Sequence, residues 1–212
     1  MVTLIFYFAG IKLAPVLPRR CAERYASEMH MLTETLKNDF IPLKGEMYQL
    51  CLSLYSYREK FDNLGERFRN SSRYFLLEEV TALRAISNEI IMHLCKLDED
   101  KSKVSFHAAK KAINKYPGLD YDKRSLNKAM KSLRDSINSI KTKHRNRYIA
   151  HLTEDGYPEP FDLPDFTAEF QDLVKEAYTV FTLICGNEVK FGFKIGSQER
   201  FLNFNEEFLQ NT

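Results

Sequence analysis

The chain has 212 residues, of which 44% are hydrophobic and 28% charged, and its formal net charge is +2. That is the composition of a soluble globular protein, with one domain as the default at this length. A charge so close to zero excludes attraction to a polyanion through the total, so any such attraction has to come from local clustering.

Val2 to Pro18, VTLIFYFAGIKLAPVLP, is an apolar arm. It is too short to span a bilayer, has no basic region before it and is broken by Gly10, Pro15 and Pro18. Three readings stay open for residues 1–28: a strand or arm packed on the body, an extension ahead of a start at Met29 or Met31, and a signal or anchor supported only by Arg19 and Arg20. From Arg24 to about Asp62, Met31, Leu32, Leu36, Phe40, Leu43, Met47, Leu50, Leu54 and Tyr57 recur at helical spacing, with a start or kink expected at Pro42. Asn63, Gly65, Asn70, Ser71 and Ser72 supply turn chemistry, and Ser72 is an expected N-cap.

Arg73 to Leu97 is apolar on more than one side, which suits the centre of a bundle or a dimer interface, and LDEDKSK (Leu97 to Lys103) ends it. A short helix is predicted over Phe106 to Tyr116, stopping at Pro117 and Gly118. The next is expected from Lys123 to about His151, with Leu126, Met130, Leu133, Ile137 and Ile140 along one side. Between Lys123 and Arg147 stand Lys123, Arg124, Lys128, Lys131, Arg134, Lys141, Lys143, Arg145 and Arg147 against one acid, Asp135, making it the most basic helix of the chain.

Glu154, Asp155, Gly156, Pro158 and Pro160 form a loop, and Phe166 to Cys185 reads as a last helix with Asp162 or Asp165 near its positive end. After Gly186, Val189, Phe191, Phe193 and Ile195 alternate as in a strand, which is expected to pair with the N-terminal arm. The organisation expected is therefore an arm over 1–28, a helical domain over 29–185, and a strand and tail over 186–212 packed on that domain. The cysteines, Cys21, Cys51, Cys95 and Cys185, have no CxxC or other metal-like spacing and read as reduced thiols, three of them in apolar helical runs.

The densest chemistry lies in RNRYIAH, Arg145 to His151. A permanent cation, a carboxamide and an imidazole share two helical turns with the apolar anchors Tyr148 and Ile149. On a helix His144, Arg147 and His151 fall nearly on one face, while Arg145 is turned about a third of a revolution from His151. One helix does not aim Arg145 and His151 at the same point, but a two-fold related copy can set an Arg from one chain beside a His from the other.

The spacing of Arg145, the polar Asn146 directly after it and His151 a few residues on resembles the signature of the HEPN family of all-helical RNA-acting domains. YIAH followed by a turn and another helix, and LCKLDED (Leu94 to Asp100) closing an earlier helix, resemble its AbiU-type branch, associated with phage abortive infection. The likeness covers Met29 to Cys185. It implies a mainly α, antiparallel helical bundle, here with a small β ribbon from the arm and the region after Gly186. It also implies a cytoplasmic, homodimeric, metal-independent endoribonuclease, a toxin or defence effector. His151 would move a proton at the attacking 2'-hydroxyl or the leaving 5'-oxygen, Arg145 would hold the scissile phosphate, and Asn146 would orient a neighbour. His144, Arg147, Lys143, Lys141 and Tyr148 would line the RNA path. The alternative within the family is a non-catalytic RNA- or nucleotide-binding module working with an antitoxin or nucleotidyltransferase partner.

Structural readings stand beside these. His151 could cap a helix end, Arg145 and Arg147 could pair with Glu154 or Asp155, and the basic run could be a wet helix face. A plain helical scaffold whose basic helix binds an acidic partner is a third class. His30, His93 and His107 have no partner spacing and read as structural. There is no HExxH, GxxxxGK or GxGxxG and no surround for a Ser or Cys nucleophile, so no metal, cofactor or membrane association is expected.

Overall fold

The computed structural model describes residues 19–69, 71–115, 121–142, 167–186 and 189–209, with side-chain packing from Phe40 onward. The longest element, α1 (Arg19–Asp62), has 44 residues and is about 66 Å long. The helix continues through Pro42 and does not start there, and the proline is exposed. Where the sequence predicts only a turn, a short helix, α2 (Leu64–Arg69), follows, with no buried residue.

α3 (Arg73–Leu97) begins where Ser72 accepts a hydrogen bond from the Phe75 N–H at 3.3 Å, the N-cap expected from the sequence. It returns antiparallel to α1: Lys60 donates to Glu79 near one end, and Lys96 donates to Glu46 near the other. α4 (Phe106–Asn114) and α5 (Lys123–Ile140) also run antiparallel, since Tyr121 donates to Asn114 at one end while Arg134 meets His107 at the other. α6 (Thr167–Cys185) lies against α1, α3, α4 and α5.

Met47, Leu50 and Leu54 of α1, Leu83, Ile90 and Leu94 of α3, and Phe170, Val174 and Phe181 of α6 are fully buried in one continuous core. Each such side chain contributes about 1.5–3 kcal/mol by leaving water. Leu126, Met130, Leu133, Ile137 and Ile140 complete it from α5 at alternating spacings of four and three, the predicted stripe. Cys51, Cys95 and Cys185 are buried thiols in no disulfide, and burial pushes Cys185 up to about 12 and raises Cys51 as well, as expected of inert core thiols.

The region after Gly186 forms a strand, as its alternation predicts. Among the described residues β1 (Lys190–Ile195) pairs antiparallel with β2 (Gln198–Asn203), in the register Phe191 to Leu202 and Phe193 to Arg200. The turn between them carries Gly196 in the left-handed region, φ 61°, a conformation glycine adopts without steric cost in a close hairpin. α7 (Phe204–Leu209) follows, and Phe204 is fully buried, with ring centroids 6.4 Å from both Tyr48 and Tyr55. The Val189 backbone N–H donates to the buried Tyr178 hydroxyl at 2.8 Å, and its carbonyl accepts from the Phe204 N–H. The region is thereby fastened to α6 and α1. The arm itself lies outside the described residues.

Candidate functional site

Asp98 caps the C-terminal end of α3 and is 3% exposed, although α3 delivers it at the start of the acidic run Asp98, Glu99, Asp100. A carboxylate this buried needs compensating partners, and α4, α5 and the turn after α5 bring them. Arg134 of α5 donates from Nε to both carboxylate oxygens, at 3.0 and 3.3 Å, and from Nη2 to the Asp98 carbonyl at 3.1 Å. Lys141, just beyond α5, donates its ammonium to Oδ2. His107 of α4 places Nε2 at 3.4 Å from Oδ1.

The imidazole's tautomer follows from its neighbours. Arg134 Nη2 lies 2.8 Å from His107 Nε2, and a guanidinium only donates, so Nε2 accepts. The ring proton then sits on Nδ1, which faces Asp100 Oδ1 at 3.4 Å. Asp100 also accepts from Arg134 Nη2 at 3.0 Å, and that hydrogen bond holds its carboxyl below the usual range. The same bond, with those to Asp98, pushes Arg134 up, fixing it as a permanent cation. One guanidinium, one ammonium and one imidazole are thus gathered on a pair of carboxylates where the ends of α3, α4 and α5 meet.

Beyond Ile140 the chain takes a wider π-type turn at residues 141–142, a geometry that frequently marks functional positions. The helix expected to run from Lys123 to His151 is therefore described as α5 to Ile140 and this turn. Arg145, His151 and Asn146, with His144, Arg147, Lys143 and Tyr148, lie outside the described residues. Of the predicted site residues Lys141 alone is placed, and its ammonium is turned onto Asp98. The rest of the basic stretch divides in two: Arg134 is held by carboxylates, while Lys123, Arg124, Lys128 and Lys131 are exposed along α5.

Sequence reasoning gave no role to Asp98, Asp100, Arg134 or His107 as a group. The signal available was an acidic run closing an apolar helix, but nothing in spacing alone shows that the first acid of that run is buried. His93 likewise gains partners that sequence distance hides. Its Nδ1 lies 2.7 Å from Glu46 Oε1, and Lys96 donates to the same carboxylate. Among the described residues no three His, Cys, Asp or Glu are placed to hold a metal ion, and no helix is long and apolar enough to cross a membrane. Comparison with known protein families, with curated proteins and with solved structures found no match for this chain.

Proposed function

We propose that this protein is a metal-independent endoribonuclease of the HEPN type, working as a homodimer and serving as a toxin or phage-defence effector. The observation that carries the reading is the Asp98 cluster. It holds the C-terminal half of α5 through Arg134 and the turn after it through Lys141, four residues before Arg145. A catalytic segment that must present a guanidinium and an imidazole to one phosphodiester needs a fixed point of departure, and a buried carboxylate with two cationic partners is such an anchor. The mainly helical bundle supports the same reading.

In the proposed reaction the 2'-hydroxyl of the RNA attacks the adjacent phosphorus and the bond to the 5'-oxygen breaks. The products are a 2',3'-cyclic phosphate and a 5'-hydroxyl. His151 moves a proton at the attacking or the leaving oxygen, and Arg145 opposes the charge that builds on the phosphorane. A second copy of the chain completes the cleft, because on one helix these two side chains diverge.

The test is incubation of purified protein with RNA in EDTA, beside His151→Ala and a substrate carrying 2'-deoxyribose at the cut position. Cleavage by the wild type, lost in both controls, is the expected result. Binding of RNA with a steep salt dependence and no cleavage under any condition would instead select the non-catalytic module working with an antitoxin or nucleotidyltransferase.

A further inference from the structure

α4 packs on α1 so that a groove of about 270 Å³ opens beside Leu43, with Lys103, Lys111 and Lys115 along it. All three lysines are exposed, and among the described residues no carboxylate pairs with them, unlike Arg134 and Lys141. Among the described residues no acidic one lines the groove. Three like charges held unneutralised around one concavity raise the local potential well above that of a chain carrying only +2 overall.

The wall between the lysines is made of small side chains, Ala108 and Ala112, so an extended strand can approach the helix closely. Lys111 and Lys115 are one turn apart, about 6 Å along the axis, a spacing comparable to that of successive phosphates on a stretched strand. Among the described residues the lining has no aromatic ring, so it offers cations for a backbone and no platform for stacked bases. Lys111 stands one turn after His107 on α4, which places this end of the groove beside the Asp98 cluster.

We infer that the α1–α4 groove takes the sugar-phosphate backbone of a single-stranded RNA, with phosphates at Lys103, Lys111 and Lys115, and guides the strand toward the end of α5. The inference rests on the ribonuclease reading for its ligand, and it makes recognition at this surface blind to sequence.

The experiment measures binding of a fluorescent 2'-O-methyl oligouridylate, which the proposed chemistry cannot cut, over a range of salt. The variants are K103Q/K111Q/K115Q and, with the same change in charge on another surface, K123Q/K128Q/K131Q; the single reversal Lys111→Glu provides a milder alteration. For the groove triple variant the slope of log K against log salt is expected to fall by about 2, since each single-strand phosphate contact contributes about 0.7. The wild type's advantage over it then shrinks about 18-fold between 50 and 200 mM salt. The α5 triple variant is expected to change less, and Lys111→Glu to weaken binding while the melting temperature is unchanged.

Equal losses for both triple variants, an unchanged slope, or displacement of the probe by polyglutamate as readily as by unlabelled strand would each overturn the proposal. The two readings fail separately. Binding that behaves as expected without cleavage of ordinary RNA sinks the nuclease and keeps the groove, whereas cleavage unaffected by the groove variants does the reverse.

Discussion

Asp98 is the residue on which the candidate site turns, because its carboxylate is buried while its two main partners are not: Arg134 is 37% exposed and Lys141 22%. Water therefore screens part of each attraction, and the penalty of breaking the cluster falls mostly on the group left inside. Asp98→Asn is expected to lower stability by about 2 kcal/mol, or about 4–8 °C in Tm for a chain of this size, measured by thermal unfolding. A double-mutant cycle with Arg134→Met should return a coupling of about 0.5–3 kcal/mol, and a value of zero would show the pair to be a solvated contact.

Acid acts on the same place with a definite sign. Asp100 is held below the ordinary 3.8 by the hydrogen bond from Arg134, and Asp122, which caps α5, is held below it by those from Ser125. A carboxyl depressed in the folded protein contributes stability above its unfolded value and loses it as pH falls through the folded one. Tm should therefore decline once pH drops below about 3.8, and a variant with both Asp100→Asn and Asp122→Asn should show a shallower decline in an acid series.

At the level of elements, much was legible because local chemistry decides it. Ser72 and Leu97 bound α3 as their sequence context requires, and the stripe from Leu126 to Ile140 buries the face that its period predicts. What was not legible depended on partners distant in sequence. The importance of LDED emerged only when α4 and α5 brought His107 and Arg134 to it.

α4 is a short element that starts at a buried cap. Ser105 is 1% exposed, its hydroxyl accepts from the Ala108 N–H at 3.2 Å, and the same hydroxyl donates to the Ser102 carbonyl at 2.9 Å. Nine residues of helix have little cooperativity of their own. Ser105→Ala should cost about 1–2 kcal/mol in urea unfolding, with Ser105→Asn recovering part of it. No effect of the alanine variant would mean that packing of Phe106 and Ile113 alone holds the helix.

For the whole molecule, the proposed pairing of subunits makes a prediction that a lone chain cannot satisfy. If each cleft takes Arg145 from one copy and His151 from the other, a mixture of Arg145→Ala and His151→Ala chains regenerates one intact cleft in every mixed dimer. With random exchange, about a quarter of wild-type RNA cleavage should return from two inactive proteins. Recovery of nothing, with mixed dimers demonstrated by mass, would show that the two side chains serve the same cleft from the same chain.

The seating of Phe204 between Tyr48 and Tyr55, with Val189 fastened to Tyr178, also bears on how the chain matures. During synthesis α1 leaves the ribosome early, yet the aromatic slot on its surface stays open until a segment more than a hundred residues downstream has been translated. Folding that proceeds from the first helix onward cannot finish on its own, and the closing contact is among the longest loops the chain has to make. If the protein is the ribonuclease proposed above, it would then reach its active form only after the ribosome has passed Phe204.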